Sequence, residues 1–335
     1  MARLTIKDIA ELVGVSTATI SNYLNGNYNK MSDRTRQQIA EVIGQANYHP
    51  SSIARGLAKN ENRTIGVSIA DITNPFTSQV VSGISEVCNK HDYKVIFTNS
   101  DNDPKHEIKN LVRLRSEQVS GYIIDPVNPN GTLFKTFSNE NTIMVDRQAN
   151  EIKVDTIVTD NESSVKEMVS LMKNSGIDEM YFVSWPLGGV STRIQRFKGF
   201  LEAMNYPNND SHLIQVPHHG APEEYDHFKN TIQEIMANRG KKRIGFFSMN
   251  GRVFLRLIDA MQTLSYHYPD DYALATYEEF SWIRVFRPRI SCIRQDSRLI
   301  GITAASNLID KLENKTEQSP RLITMPTEIR LHESF

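Results

Sequence analysis

Cysteine is nearly missing from this 335-residue sequence: Cys88 and Cys292 stand alone, without CxxC spacing or a neighbouring cluster of histidines or cysteines. Neither a disulfide framework nor a zinc site is indicated, and a reducing cytoplasm is the expected compartment. Long apolar runs are missing too. In MARLTIKDIAELVGV the charges of Lys7, Asp8 and Glu11 interrupt any signal-like core, and no later segment approaches the roughly 20 apolar residues of a membrane span. The chain is expected to be neither exported nor membrane-bound. No excess of one charge exists, with 38 Lys+Arg against 39 Asp+Glu. Phosphate-cradling motifs are absent: no GxGxxG follows a strand, GxxxxGK[ST] does not occur, and Gly188-Gly189 is a lone pair. Paired carboxylates such as Glu278-Glu279 and Asp101/Asp103 occur, but no Ser/His/Asp order, phosphate loop or metal cluster accompanies them. No enzyme, no cofactor and no metal are expected. The adjacent His218-His219 and Asp270-Asp271 read as loop and turn residues.

What is present is local. A chain of this length exceeds one ordinary core, so at least two domains are expected. From Met1 to Arg63 eight cations face five anions, a net of +3 that leaves about −4 on the remainder. That asymmetry suits a DNA-reading head on an acidic body. In LTIKDIAELVG, residues Ile6, Ile9, Ala10 and Val13 follow one helix face, Thr5 with Asp8 forms a capping-box pattern, and Gly14 stops the helix. Ser16 is a good cap for a second helix to about Leu24. Its Ile20, Tyr23 and Leu24 turn inward, and Thr17, Ala18, Ser21 and Asn22 are expected to face outward. A third helix starts near Ser32 with Ile39, Val42, Ile43 and Ala46 along one side. Two short helices joined by a Gly turn and braced by a third form a helix-turn-helix, although any small helical bundle shows similar periodicity.

The stretches TIKDIAELVGVSTATISNYLN and NYHPSSIARGLA resemble the headpiece and hinge of the lac repressor/galactose repressor family at nearly every position. Around TISNYLNGNYNKMS the sequence also resembles regulators of 2-keto-3-deoxygluconate use. The resemblance implies base-reading positions at Thr17, Ala18 and Asn22. Asparagine suits adenine N6/N7, where the arginine of many members suits guanine, so the operator half-site is expected to depart from the commonest sequence at that step. A phosphate contact is the alternative for Asn22. Phosphate-positioning roles suit Thr5, Ser16, Thr19, Ser21 and Asn25. Pro50 to Ala58 reads as a short helix that orders only on DNA. The family hinge implies Leu57 as a minor-groove wedge, Ala54 packed nearby and Arg55 near the backbone; Ile53 and Leu57 as a seam between paired hinges is the other reading.

After Arg63, β-rich runs (TIGVSIAD, VIFTNS, GYIIDP, TIMVD, TIVTD, MYFVSW, LIQV, RIGFFS, YALATY, SCIRQ, RLITM) alternate with helical stretches. This pattern points to a doubly wound α/β class, with parallel sheets covered on both faces and ligands beyond the carboxyl ends of the strands. Here too the chain resembles the family core, itself similar to periplasmic sugar-binding proteins. The implied organisation is a helix-turn-helix over 1–48, a hinge over 49–61, and an effector-binding and dimerisation core over 62–335. Its first lobe takes about 62–161 and 293–324, and its second about 162–292 and 325–335.

The same resemblance gives effector candidates. Phe76 and Thr77 fall at the cleft edge, with a core role as the alternative for Phe76. Asp146 falls where sugar sensors use a carboxylate for hydroxyls, or else caps a turn. Arg196 is the first choice for an effector-contacting cation, against a surface arginine. Asn250, Glu278 and Gln295 match strand-end positions; Glu278 departs from the usual aspartate, and Ser297 is expected to open polar space in the cleft. Arg147, Arg193 and Arg196 together suit an anionic ligand, an acidic sugar or sugar acid. Trp185 and Trp282 stand beside strand ends as core or cleft residues. The expected partners are double-stranded operator DNA, a small-molecule effector and a second copy of the chain. No leucine-heptad tail follows TEIRLHES, which favours a dimer over a tetramer. A corepressor- or partner-protein-dependent regulator of the same fold is the alternative, and an exported sugar receptor has no use for the DNA head.

Overall fold

The computed structural model describes residues 4–24, 26–46, 48, 62–217, 222–314 and 319–335. Asn25, the expected hinge with Ala54, Arg55 and Leu57, and the His218-His219 pair lie outside these residues. The chain divides into two compact units, Met1–Arg63 and Thr64–Phe335.

The first unit is helical. Helix α1 spans Ile6–Val13, α2 Thr17–Leu24 and α3 Asp33–Gln45. Both halves of the capping box form: the Asp8 N–H donates to Thr5 Oγ1 (3.3 Å) and the Thr5 N–H to Asp8 Oδ2 (2.7 Å). Gly14 ends α1 at φ 77°, a left-handed turn that a Cβ disfavours. Ser16 Oγ accepts from the Thr19 N–H at 3.1 Å, and Ser32 Oγ from the Thr35 N–H at 3.2 Å. Ile9, Ala10, Ile20, Ile39 and Tyr48 form the small core. On α2, Thr17 and Ala18 are exposed, but Ser21 and Asn22 are half-buried rather than fully outward. The cause is local for Asn22, whose carbonyl accepts from the Asn27 N–H at 2.9 Å as the chain folds back.

The second unit holds two six-stranded sheets. The first has the order β11-β5-β4-β3-β1-β2 and the second β12-β10-β9-β8-β6-β7. Strands of the first are β1 Thr64–Ile69, β2 Lys94–Asn99, β3 Gly121–Ile124, β4 Thr142–Val145, β5 Asp155–Thr159 and β11 Leu322–Met325. Those of the second are β6 Glu179–Ser184, β7 Leu213–Gln215, β8 Ile244–Ser248, β9 Ala273–Tyr277, β10 Ser291–Arg294 and β12 Glu328–Arg330. All pairings are parallel except β10 with β12. Helices cover both sheets: α4 Pro75–Lys90 and α5 Pro104–Ser116 in the first lobe, α6 Asn161–Asn174, α7 Ser191–Met204, α8 Pro222–Ala237 and α9 Gly251–Thr263 in the second, and α10 Ser297–Asn314 back in the first. The chain therefore crosses between lobes three times, after β5, β10 and β11. Strand β10 stays in the second sheet to Arg294, two residues past the expected crossing at 292/293, because Ile293 and Arg294 pair with β12.

Helix packing in both lobes depends on missing side chains. A Cβ on Gly301 of α10 would run into the Val80 carbonyl of α4, one on Gly83 into that of Arg298, and one on Gly199 of α7 into that of Glu162. Helix α10 is further pinned to its sheet by Lys311, whose Nζ lies 3.0 Å from the fully buried Asp155 carboxylate. No helix among the described residues is long and apolar enough to cross a membrane.

Candidate functional site

The carboxyl ends of the strands of both sheets meet at one cleft, as parallel sheets dictate. Its walls include Asp71, Phe76, Asp146, Arg147, Trp185, Arg193, Arg196, Asn250, Arg252 and Glu278. Two strand-end carboxylates occupy matching positions: Asp146 follows β4 at φ 66° and Glu278 follows β9 at φ 78°. Such backbone is costly for a residue with a Cβ and persists where neighbours hold it. The holding bonds are the Asp146 N–H to the Ile157 carbonyl (2.9 Å) and the Glu278 N–H to the Ile293 carbonyl (2.8 Å), each to the adjacent strand.

The arginines converge. Arg196 is not a surface residue: it is 4% exposed, donates from Nε to Asn161 Oδ1 (2.7 Å) and from Nη1 to the Met249 carbonyl (2.9 Å), and lies over the Tyr277 ring at 3.5 Å. Arg147 donates to the Pro126 and Val127 carbonyls at 3.1 and 3.2 Å and to Asn102 Oδ1 at 3.3 Å. Its buried Nε makes no hydrogen bond, standing 3.8 Å from Asp146 Oδ2 and 4.0 Å from Asp125 Oδ1. The loop it grips is fixed from behind by the buried Glu107, which accepts from the Val127 N–H at 2.6 Å. Arg193 donates to the Pro186 carbonyl. Burial, reinforced by the charge of Arg147, pulls the Arg193 guanidinium down to about 10. The carboxylates respond oppositely. Burial pushes the Glu278 carboxyl up to about 7 against the pull of Arg196, and raises buried Asp125 despite Arg147.

Phe76 lines the cleft and is also buried in the first-lobe core. Asn250 caps α9 through Oδ1, which accepts from the Val253 N–H at 2.9 Å, and also lines the cleft. Three expectations need correction. Thr77 is buried but not in the wall, because the helical step after Phe76 turns it inward. Gln295 stands behind the wall and acts on it through Glu278, donating from Nε2 to Oε1 at 3.1 Å. Ser297 begins α10 as a buried residue and opens no space in the cleft. Trp185 belongs to the cleft, whereas Trp282 packs on Phe254 and Phe280. Sequence reasoning missed Asp71 and Arg252, joined across the cleft at 2.6 Å. Nothing local announces a pair 181 positions apart.

Glu279, beside Glu278, is spent on Arg284 and Arg294, and no group of residues able to hold a metal ion occurs among the described residues. A helix-turn-helix and a two-lobed cleft together define a ligand-responsive DNA-binding protein. Family descriptions match along the chain: "Bacterial regulatory proteins, lacI family" over residues 5–51, "Periplasmic binding proteins and sugar binding domain of LacI family" over 62–218, and "Periplasmic binding protein-like domain" over 169–335. The chain belongs to the lacI family of bacterial regulatory proteins; it is a transcriptional regulator, not an enzyme. It is similar to the HTH-type transcriptional regulator KdgR of Bacillus subtilis, 28% identical with 99% of this chain and 97% of that one covered. It is also similar to PtxS of Pseudomonas aeruginosa, 28% identical over 98% and 94%. Among solved structures, the Lac repressor bound to ONPG in its repressed state matches with a TM-score of 0.81 at 20% identity, covering 100% of both chains.

Proposed function

We propose that this regulator is a cytoplasmic, homodimeric repressor that grips a pseudo-palindromic operator and is released by a sugar acid in its cleft, 2-keto-3-deoxygluconate being the first compound to try. One observation carries the ligand class: four arginines line the cleft against three carboxylates. Of those carboxylates, Asp71 is matched by Arg252 and Glu278 is pushed up to about 7. Arg147, Arg193 and Arg196 thus face Asp146 with charge to spare, which favours an anion over a neutral sugar. Asp146, Asn250 and Glu278 supply acceptors for hydroxyls, and Phe76 an apolar face. Gln295 acts through Glu278.

On the DNA side, Thr17, Ala18 and Asn22 of α2 read bases, and Thr5, Ser16, Thr19 and Ser21 position the helix on phosphates. Exposure of Thr17 and Ala18 supports this. A dimer matches the two-fold symmetry of the operator. Exposed Phe97 on edge strand β2, with Ile108 and Val112 one turn apart on α5, supports a pairing face.

The decisive experiment is binding to an operator fragment at fixed salt, with neutral sugars and sugar acids added in turn. Release by acids alone is the expected result. Release by neutral sugars alone sinks the acid reading, and tighter binding with any of them indicates a corepressor.

A further inference from the structure

Arg147, Arg193 and Arg196 are each tied to backbone carbonyls within the protein. Arg252 is held otherwise. It sits near the start of α9 in the second lobe, and among the described residues its side chain has one hydrogen-bond acceptor, Asp71 of the first lobe, 2.6 Å from Nη1. The two ends of this bridge are not equivalent. Asp71 accepts three further bonds, all from its own lobe: the Thr73 N–H at 2.9 Å, the Thr73 hydroxyl at 2.6 Å and the Asn102 amide at 3.2 Å. Burial alone would raise the Asp71 carboxyl, yet Thr73 and Arg252 together hold it below the usual range.

Parting of the lobes therefore has unequal consequences. Asp71 keeps three partners, while Arg252 loses its acceptor and faces the cleft with five N–H donors and no acceptor capacity of its own. With the bridge formed its side chain is only 27% exposed. Parting is also required for entry. The space between the lobes is about 40 Å³, room for a few waters and far below the roughly 300 Å³ at which ligand pockets begin.

We propose, building on the reading of the cleft as a sugar-acid site, that Arg252 selects the ligand's carboxylate and that Asp71 is its built-in competitor. A ligand carboxylate replaces the Asp71 carboxylate on the Arg252 guanidinium as the lobes part. An acid then restores the fork that opening exposed, whereas a neutral ligand gives nothing back. Charge selectivity follows from one bridge, and so does a threshold, because every ligand must first displace Asp71.

The test is calorimetric titration of the full-length protein with 2-keto-3-deoxygluconate and with its primary amide, which keeps the shape and removes the charge. The acid is expected to bind at least about tenfold tighter than the amide, the scale of one hydrogen bond to a charged group. Asp71→Asn should tighten the acid and the amide alike by about the same factor, because either must first part the bridge. Arg252→Gln should bring the acid down to the amide, Arg252→Lys should restore part of the preference, and the gain from Asp71→Asn should vanish when Arg252→Gln is added. Survival of the acid preference in Arg252→Gln, or weaker acid binding in Asp71→Asn, overturns the proposal. If that preference disappears instead in Arg147→Gln or Arg193→Gln, the cleft still takes an acid but anchors it elsewhere. No preference in the wild-type protein removes both the anchor and the sugar-acid reading.

Discussion

Glu278 shows how one buried side chain makes the cleft answer to pH. Its carboxyl is 4% exposed and raised to about 7, by burial first, with Arg196 and the Gly251 N–H pulling the other way. A raised folded-state value means that the group takes up its proton as pH falls through about 7. The cleft then gains positive charge, so an anionic effector should bind more tightly at about pH 6 than at about pH 8. Glu278→Gln should flatten the profile in part, the rest staying with Asp125 beside Arg147, and a pH profile unchanged by that substitution would contradict the assignment. Stability runs the same way: the contribution of this group is full below its ordinary value of 4.5 and is lost as pH rises through about 7. Legibility at this scale was uneven for a physical reason. Asn250 was readable because it lies at a strand–helix junction, where parallel sheets collect their functional groups, whereas Arg196, inside α7, was readable only through the family resemblance. Asp71 and Arg252 lie at such junctions too. What escaped the sequence was their partnership, which exists only once two lobes face each other.

At the scale of elements, local chemistry and tertiary contact divide the work. The helices of the small unit were legible from Thr5, Ser16 and Ser32, because a cap is a bond within three residues. The strands were legible as apolar runs bounded by polar turns. Strand β12 was not: Glu328–Arg330 is three residues long, sits at a sheet edge and runs antiparallel to β10, so it carries no apolar run to notice. Close helix packing gives two predictions of opposite sign. Gly301→Ala should force α10 from the Val80 carbonyl of α4 and destabilise the core by about 1–3 kcal/mol. Gly44→Ala in α3 meets nothing within 4 Å and should stabilise the small unit by about 0.5–1 kcal/mol through helix propensity. Urea midpoints read separately for the two units check both, and equal shifts in both variants would contradict the packing argument.

For the whole molecule, association is the property that joins DNA reading to ligand sensing. If Phe97, Ile108 and Val112 form the pairing face, the double substitution Ile108→Glu, Val112→Glu should give monomers in sedimentation velocity. Operator affinity should fall at least about a hundredfold, because half of the phosphate and base contacts are then lost. A variant that remains dimeric would place the interface elsewhere.

The three crossings between lobes also impose an order on biosynthesis. The first sheet lacks an edge strand and a covering helix until residues 297–325 have been made, and the second lacks β12 until a few residues later. A nascent chain that has completed the small helical unit therefore still awaits nearly the entire remainder before either lobe can close its core. At roughly 5–20 residues per second that wait is some tens of seconds. During it, partly built sheets present unpaired edges, so slowing translation late in the message should increase the demand for chaperones more than slowing it early.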